Sequence, residues 1–575
     1  MRPLRIAALL SLLSAPLLHA ALPNCATGAI KNAPCEIQRV TSATYADQYL
    51  PYTSFSSVSA TFTTAGRSIT VRGFYDGLSG SNAIFKFRFT APVTGTWNYT
   101  VTSSPADGGL TGGSSFTVNA GSGRGFLRRD TAFPTRMIFD NGTYPFVWGQ
   151  TYYQLINNYS DPVPGTWSTA INNSMGKGMT KFRVLLYPWW GDDPTTGVED
   201  NNGYGIYLDR QPYAAAGRVP TEAEYSKLNL AHWQKFDALL EDLNNRGAIV
   251  ELILFHDTAS GTTDPTPSRA FARIGGAVDT SSTGLNARYA QYAAARYAAY
   301  PNVYFCLSNE WTHALNNKPF WQMIGAAVRA ADGFFYDPVL NRFRLLSIHN
   351  NTDRNFQYKT DIATAGAGWV GHSVVQYSFR NTDGNNQPDQ WGNVSITSNL
   401  AANMPVFNDE FGYIHEQKPD LSFFEGTPHR QAMWGIAMAG GYGTVGDVNP
   451  LSGSSISLSS DWQSRTEYND VKNLVDFFTL RITNFHRLVQ ASTAGIVSNQ
   501  TTTVYALRQA SIQFVFYKVA SGTFRLTLPA GKTYTISKYD PVNGGALVFV
   551  QTLVGGTTSG DIGGSDAGDW VYVAK

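Results

Sequence analysis

The sequence has little charge and no excess of either sign. Only 15% of its 575 residues are charged, and the formal net charge is +1. A protein that binds nucleic acid or an anionic membrane surface needs clustered positive charge. This composition therefore predicts no nucleic-acid partner.

Long apolar runs are also scarce. The only candidate is at the N-terminus, where Arg2 and Arg5 precede an apolar stretch at residues 6–18 that ends in small residues. This pattern is typical of a secretory signal peptide, here residues 1–20. No later run reaches the roughly 18 residues that a membrane span needs. We therefore expect a secreted or periplasmic protein without a membrane span.

Cysteine is rare, with three residues in the chain. Cys25 and Cys35 follow the predicted cleavage point, and an oxidising compartment would let them form a disulfide. Cys306 lies inside an apolar run, which indicates a buried, inert thiol rather than a nucleophile.

Several catalytic motifs are missing from the sequence. The nine histidines include no His-Glu-x-x-His pattern, and neither a Walker glycine loop nor a Gly-x-Ser-x-Gly elbow occurs. We therefore expect no catalytic zinc, no nucleotide and no other cofactor. The acidic segment at residues 192–202 offers oxygen ligands without the EF-hand spacing, so a structural calcium ion there stays an open alternative.

What the sequence does contain is an alternation of apolar strands and helical segments over residues 121–477. Helices are predicted near residues 221–246 and 285–299 from apolar residues at three- and four-residue spacing. Eight parallel strands with helical crossovers close most simply as a (β/α)₈ barrel. The strands are predicted at residues 144–150, 181–187, 249–255, 302–307, 343–348, 372–377 and 404–407 and within 435–446.

The two flanking regions have a different pattern. Residues 21–120 and 478–575 contain short strands of alternating polarity, bounded by Gly, Pro, Asn and Ser. Such runs predict an antiparallel β-sandwich on each side of the barrel. The predicted fold class is α/β, a barrel flanked by two β-sandwiches.

Two predicted barrel strands end in a glutamate, Glu310 and Glu410. A barrel of about 250 residues repeats roughly every 31 residues, so their separation of 100 residues corresponds to three units and places them after strands four and seven. These strands face each other across the barrel mouth. Glycoside hydrolysis with retention needs two carboxyl groups about 5 Å apart. We predict Glu310 as the acid/base and Glu410 as the nucleophile.

Neighbouring side chains fit the same chemistry. Asn309 could hydrogen-bond the sugar hydroxyl beside the reacting carbon. Arg183, on strand two, could keep Glu410 ionised, since a nearby cation lowers a carboxyl pKa. Tyr377, at the end of strand six, is predicted to hydrogen-bond Glu410.

Further substrate contacts are expected from the loops after the strands. Aromatic rings there would stack on sugar faces, and polar groups would bind hydroxyls. Trp189 and Trp190 are adjacent, and adjacent tryptophans rarely point the same way, so one of them is expected to pack in the interior. For His256 the alternative is a structural role. The candidates are Tyr152, Tyr153, Trp189, Trp190, His256, Asp257 and Asp447.

The segments Ser308-Asn309-Glu310 and Asn408-Asp409-Glu410-Phe411-Gly412 resemble the acid/base and nucleophile motifs of clan A retaining glycoside hydrolases. The layout resembles the apiosidase-like barrel hydrolases, which often carry an N-terminal β-sandwich and a C-terminal domain named for collagen binding. Gly95-Thr96-Trp97-Asn98-Tyr99 resembles a signature of the former, and residues 526–545 resemble a pattern of the latter.

This resemblance implies a hydrolase of polysaccharides or oligosaccharides. Gln150 stands where that family typically has an acid, so the sugar that this subsite would recognise stays open. Two other functions also remain possible, a glycan-binding protein on an inactive barrel and a transglycosylase.

Overall fold

The structure, a computed structural model, describes residues 22–153, 155–156, 166–186, 227–255, 273–274, 277–381, 384, 387–418, 420, 422–447 and 465–575.

The N-terminal region is a sandwich of two antiparallel sheets. Alternating apolar side chains, including the buried Phe85, Phe87, Phe89 and Trp97, fill the space between the sheets. Cys25 and Cys35 form a disulfide beside it. The first sheet has the order Pro34–Thr44, Asn82–Thr90, Phe74–Ser79, the second has the order Arg67–Arg72, Ser57–Thr64, Gly95–Ser104, Gly112–Val118, and two short helices are Cys25–Gly28 and Leu50–Ser54.

Eight parallel strands form the barrel. The strands are β1 Trp148–Thr151, β2 Lys181–Leu185, β3 Ile249–Phe255, β4 Val303–Ser308, β5 Leu346–Ser347, β6 Ser373–Gln376, β7 Val406–Glu410 and β8 Tyr442–Val445. They pair in the order β5-β4-β3-β2-β1-β8-β7-β6, and a parallel bridge between His349 and Val374 joins the two ends of the sheet into a ring. The predicted (β/α)₈ barrel is confirmed.

Helices surround the ring because each carries one apolar stripe. In the helix Lys318–Ala331, for example, Phe320, Ile324 and Val328 are buried at four-residue spacing. The barrel helices are α1 Thr166–Gly176, α2 Leu230–Asn245, α3 Leu285–Tyr297, α4 Lys318–Ala331, α5 Pro388–Thr397, α6 Gly426–Met438 and α7 Thr466–Asp476; shorter turns are Trp311–Leu315, Lys359–Asp361, Leu400–Ala402, Phe477–Arg481 and Phe485–Arg487.

Two predicted strands differ from the structure. The segment predicted as strand five is divided, because Arg342–Arg344 joins an antiparallel sheet outside the ring and only Leu346–Ser347 pairs with β4. Strand seven was predicted to end at Phe407 but continues to Glu410. The outer sheet has the order Tyr336–Asp337, Arg342–Arg344, Leu127–Arg129, Met137–Phe139, and two hairpins are Arg273–Ile274 with Ala277–Val278 and Glu416–Gln417 with Phe423–Phe424.

A six-stranded antiparallel sheet forms the C-terminal region. It packs on α6, where the ring of Trp434 stacks on Tyr517 and Arg430 pairs with Asp569 at 2.8 Å. The strand order is Val489–Ala491, Val504–Gln509, Gln513–Lys518, Trp570–Ala574, Thr533–Asp540, Gly544–Val554, and a separate pair is Val497–Ser498 with Arg525–Leu526.

Buried ion pairs attach the N-terminal sandwich to the barrel. Arg88 of the sandwich and Arg296 of α3 each lie 2.6 Å from Asp237 of α2, and Arg296 also reaches Asp76 of the sandwich at 2.8 Å. In the part of the chain that the structure describes, no helix is long and apolar enough to cross a membrane.

Candidate active site

Two carboxyl groups lie at the C-terminal end of the barrel. Glu410 is the last residue of β7, and Glu310 follows β4 by two residues. Because all eight strands are parallel, both side chains belong to the same face of the ring, where the active sites of such barrels are found.

Both oxygens of Glu410 are held by hydrogen bonds. Tyr153 donates its hydroxyl to Oε1 at 2.6 Å, and Gln376 donates its amide to Oε2 at 2.9 Å. Arg183 places Nη1 3.3 Å from Oε1. The Glu410 residue is 7% exposed. A buried carboxylate with this many donors is oriented and ionised.

The electrostatics of Glu410 favour its charged form. Burial alone would raise its pKa, but His349, Arg183 and the Tyr153 hydrogen bond outweigh burial and lower it. Burial, followed by the charge of Arg183, lowers the pKa of His349 to about 4. His349 is thus neutral at neutral pH, where Arg183 and Tyr153 supply the stabilisation.

Glu310 has the opposite character. Burial and the charge of Glu410 raise its pKa, against smaller opposing effects of His313, Gln376 and Arg380. Its side chain is 22% exposed, and Oε2 lies 3.5 Å from Nδ1 of His313. A carboxyl group that is partly open to solvent and holds its proton can act as a general acid.

The backbone at Glu310 is left-handed, with a φ of 40°. This conformation costs a non-glycine residue about 1–3 kcal/mol, and such residues cluster at functional sites. The following turn is held in place: the amide of Trp311 donates to the His349 carbonyl at 3.0 Å, and that of His313 to the Glu310 carbonyl at 2.8 Å.

His349 lies between the two glutamates: its Nδ1 is 3.4 Å from the backbone nitrogen of Glu310 and 3.9 Å from Oε1 of Glu410. Burial and, after it, the charge of Glu410 raise the pKa of Glu310, as expected of a nearby carboxylate. The pair therefore consists of two neighbouring carboxyl groups whose surroundings move their pKa values apart.

Contacts to its side-chain oxygen fix the orientation of the Asn309 amide. Oδ1 accepts from Arg183 Nη2 at 2.8 Å, and it lies 3.3 Å from the Tyr153 hydroxyl oxygen and 2.7 Å from His349 Nδ1. Arg183 carries only donors, so the amide oxygen must face it, and we assign the Nδ1 proton of His349 to this contact. The Asn309 nitrogen has no hydrogen-bond partner among the described residues, so it is available to a ligand hydroxyl.

A group of charged side chains fills the barrel beneath this site. Lys181 Nζ lies 2.6 Å from Glu251 and 2.7 Å from Asp409, and all three side chains are fully buried. Thr444 donates to the same Asp409 oxygen at 2.5 Å. Arg183 connects this group to the site, because its Nε lies within 4 Å of both acids. The cation that holds Glu410 is thereby fixed from below.

A β-bulge allows both adjacent acids of β7 to contact Arg183. The register against β6 shifts so that Val375 faces Asn408 and Gln376 faces Glu410, which leaves Asp409 unpaired. In a regular strand two successive side chains point to opposite faces. A bulge redirects one of them, and here Asp409 reaches the charged group below while Glu410 reaches the mouth.

Other predicted site residues lie elsewhere. Tyr152 is a core residue: it is buried, its hydroxyl lies 2.8 Å from Ser174, and its ring stacks on Phe182, so it forms no sugar platform. Tyr377 is not among the hydrogen-bond partners of Glu410, because the preceding residue supplies that contact; the Tyr377 carbonyl instead accepts from Asn408 at 2.9 Å.

The two remaining polar candidates are also accounted for. Gln150 is buried in β1 and its Oε1 has no hydrogen-bond partner among the described residues. Asp447 pairs with Arg465 at 2.7 Å and accepts from Tyr468 at 3.3 Å. The predicted contacts Trp189, Trp190, His256 and Asp257 lie outside the described residues, as does the acidic segment at 192–202.

Tyr153, predicted as a platform ring, instead donates its hydroxyl to Glu410. Three contributors were missed by the sequence analysis as site residues: Gln376, His349 and Lys181. A signal existed for Lys181, since a lysine inside an apolar strand needs a buried counter-charge. The hydrogen-bonding roles of the other two had no comparable signal, because each depends on which side of a strand end the side chain leaves.

A closed parallel barrel with a carboxyl pair at its C-terminal face is an arrangement found in glycoside hydrolases. The chain belongs to the apiosidase-like family, whose catalytic-domain model matches residues 135–449, more than half of the sequence. Residues 34–104 match a domain of unknown function, DUF5060. No curated protein matches the chain.

Solved structures share the fold. A candidate glycoside hydrolase from Bacteroides vulgatus ATCC 8482 superposes with a TM-score of 0.71 at 19% identity, covering 95% of this chain and 99% of that chain. A family 5 glycoside hydrolase from the same organism gives a TM-score of 0.55 at 13% identity, covering 78% and 93%. Identities this low bear on the fold and not on the substrate.

Proposed function

We propose that this protein is a secreted retaining glycoside hydrolase that cleaves a polysaccharide or its oligosaccharides by double displacement. Glu410 attacks the anomeric carbon while Glu310 protonates the departing oxygen. Glu310 then removes a proton from the water that releases the sugar from Glu410. What supports this proposal is that both glutamates adjoin His349 at the barrel mouth and that their pKa values are shifted in opposite directions.

The surrounding residues have supporting roles. Arg183 and Tyr153 keep Glu410 ionised and aimed. The Asn309 nitrogen is placed to donate to the hydroxyl beside the reacting carbon, a contact that strengthens in the transition state.

The test is a screen of plant, algal and bacterial glycans with the purified chain, read by released reducing sugar. We expect at least one glycan to be cleaved, and NMR of the first product formed to show the anomeric configuration of the substrate. The same glycan incubated with the Glu410→Ala variant should give no product. Product of inverted configuration would contradict the double displacement, and binding without cleavage would indicate a glycan-binding protein.

A pH profile tests the assignment of the two roles. Activity requires ionised Glu410 and protonated Glu310, so kcat/KM should rise at acidic pH with the first group and fall at higher pH with the second. The acidic limb should lie below the usual glutamate pKa of about 4.3, and the alkaline limb above it. The Tyr153→Phe variant loses a hydrogen bond that lowers the pKa of Glu410, so its acidic limb should move to higher pH.

The matched control is Tyr144→Phe, which removes a tyrosine hydroxyl bonded to Asp130 outside the barrel mouth. Its profile should equal that of the wild type. An acidic limb that stays in place in Tyr153→Phe, or a shift of equal size in the control, would contradict the role of Tyr153.

A further inference from the structure

A cavity of about 270 Å³ lies between the N-terminal sandwich and helix α3 of the barrel. The sandwich contributes the short helix Leu50–Ser54 and the strand starts around Ser57 and Phe74, and the barrel contributes residues 282–295. Residues 282–284 belong to the loop between β3 and α3. Loops of this kind lie on the catalytic face of a barrel, so one end of the cavity points toward that face, and the other end reaches Ala295 near the C-terminal end of α3.

Aromatic rings form much of the cavity wall. Tyr52 meets Tyr292 edge to face at 5.5 Å between ring centroids, and Phe55 meets Phe85 in the same way at 5.2 Å. Tyr292 belongs to the barrel, and the other three rings belong to the N-terminal sandwich. Rings fixed by their neighbours offer flat apolar surface at little entropic cost, which suits the C–H face of a sugar ring.

Two arginines in the cavity wall lack a counter-ion. Arg72 donates to the Ser56 carbonyl at 3.0 Å, and Arg288 donates to the Thr283 carbonyl at 3.1 Å. Neither forms an ion pair with any carboxylate in the described parts of the chain. Arg72 is partly buried, and burial lowers its pKa without any acidic neighbour that compensates.

Two other arginines of the same region are paired with carboxylates. Arg67 lies 2.8 Å from Asp337, and Arg88 lies 2.6 Å from Asp237. Arg72 is half-buried and Arg288 exposed, and both line the cavity without a carboxylate partner among the described residues, so their charge is available to an anionic ligand. The planar fork of donors of a guanidinium matches a carboxylate in two-point contact.

We propose that this cavity binds the carboxylate-bearing ring of an acidic sugar, such as a uronic acid within a polysaccharide. The carboxylate would meet Arg72 and Arg288, and the ring face would lie on the aromatic wall. Ser282, Thr283 and Gln291 at the barrel side offer partners for ring hydroxyls. The domain of unknown function would then help to hold an anionic glycan, independently of which bond the barrel cleaves.

The experiment is isothermal titration of the full chain with trimers of galacturonic acid and of glucuronic acid. It is done in the Glu410→Gln background so that cleavage cannot consume the ligand. We expect at least one trimer to bind, and the same trimer with its carboxyl groups reduced to alcohols to bind at least tenfold more weakly. A charge-assisted hydrogen bond contributes enough to account for about this factor.

Substitutions locate the binding. Arg72→Gln and Arg288→Gln should each weaken trimer binding at least tenfold, whereas Arg39→Gln should leave it unchanged, because Arg39 lies in the same sandwich against Tyr99 and outside the cavity. Arg288 is exposed, so its substitution should not disturb folding even if that of Arg72 does. The proposal is overturned if no trimer binds, if Arg288→Gln binds as tightly as the parent, or if inorganic phosphate displaces the trimer at equal concentration.

Discussion

Glu410→Gln is expected to lower turnover by about 10⁵-fold or more while the chain still folds. The amide is nearly isosteric with the carboxylate, so Tyr153 and Arg183 keep a partner of similar shape. It cannot, however, form the covalent bond to the anomeric carbon. The measurement is kcat on the best glycan of the screen and on an aryl glycoside of the same sugar, with circular dichroism to establish folding.

The control for this variant is Glu425→Gln. Glu425 is 46% exposed at its side chain and pairs with His415 at 2.6 Å, with no contact to Glu310 or Glu410 among the described residues. Removal of the Glu425 charge should leave kcat within about twofold of the wild type, since surface substitutions usually have small effects. Hydrolysis by Glu410→Gln at the rate of the control would remove the nucleophile assignment.

Chemical rescue gives a second readout for Glu410. In Glu410→Ala the side chain leaves a space that a small anion such as azide can occupy, from which it attacks the anomeric carbon directly. One displacement in place of two should yield a glycosyl azide of inverted configuration. This product identifies the missing group as the nucleophile, which loss of activity alone does not.

The sequence predicted the positions that depend on strand ends. Glu310 and Glu410 were identified because each follows a buried apolar run, and the spacing of a barrel places both at its mouth. Arg183 was identified for a similar reason, as a cation inside the second strand. These inferences need only the order of elements along the chain, which apolar patterning reveals well.

The positions that depend on side-chain direction at a strand end were predicted less well. Tyr152 and Tyr153 were named together, but Tyr152 is a core residue while Tyr153 lies beside Glu410, and Tyr377 was named where Gln376 makes the contact. A shift of one residue moves a side chain to the other face of a strand. The bulge at Asp409 adds an irregularity that no alternation pattern in the sequence reveals.

The charged group inside the barrel explains why the two glutamates differ. Arg183 is fixed by Asp409 and Glu251 from below, and its Nη1 faces Glu410. Glu310 forms no ion pair with that arginine and receives the repulsion of Glu410 instead. The same barrel thus lowers the pKa of one carboxyl group and raises that of the other, the arrangement that separates a nucleophile from a general acid.

Glu310→Ala is expected to lower kcat on ordinary glycans by about 10²–10⁴-fold, the usual contribution of a general acid. The loss should be much smaller on aryl glycosides whose leaving group needs no protonation. With such substrates the sugar reaches Glu410, and the slow step becomes release of the covalent intermediate. Azide, which needs no general base, should then speed turnover and give a glycosyl azide of retained configuration.

The comparison of the two alanine variants makes the roles exclusive. If Glu310 is the acid/base and Glu410 the nucleophile, azide gives retention in the first variant and inversion in the second, because one and two displacements at the same carbon have opposite outcomes. His313→Ala serves as the control for Glu310→Ala, since it removes the neighbour at 3.5 Å and leaves the carboxyl group. It should keep activity without azide. An inverted product from Glu310→Ala would exchange the two assignments. If neither azide nor a good leaving group restored the activity of Glu310→Ala, the acid/base role would be contradicted.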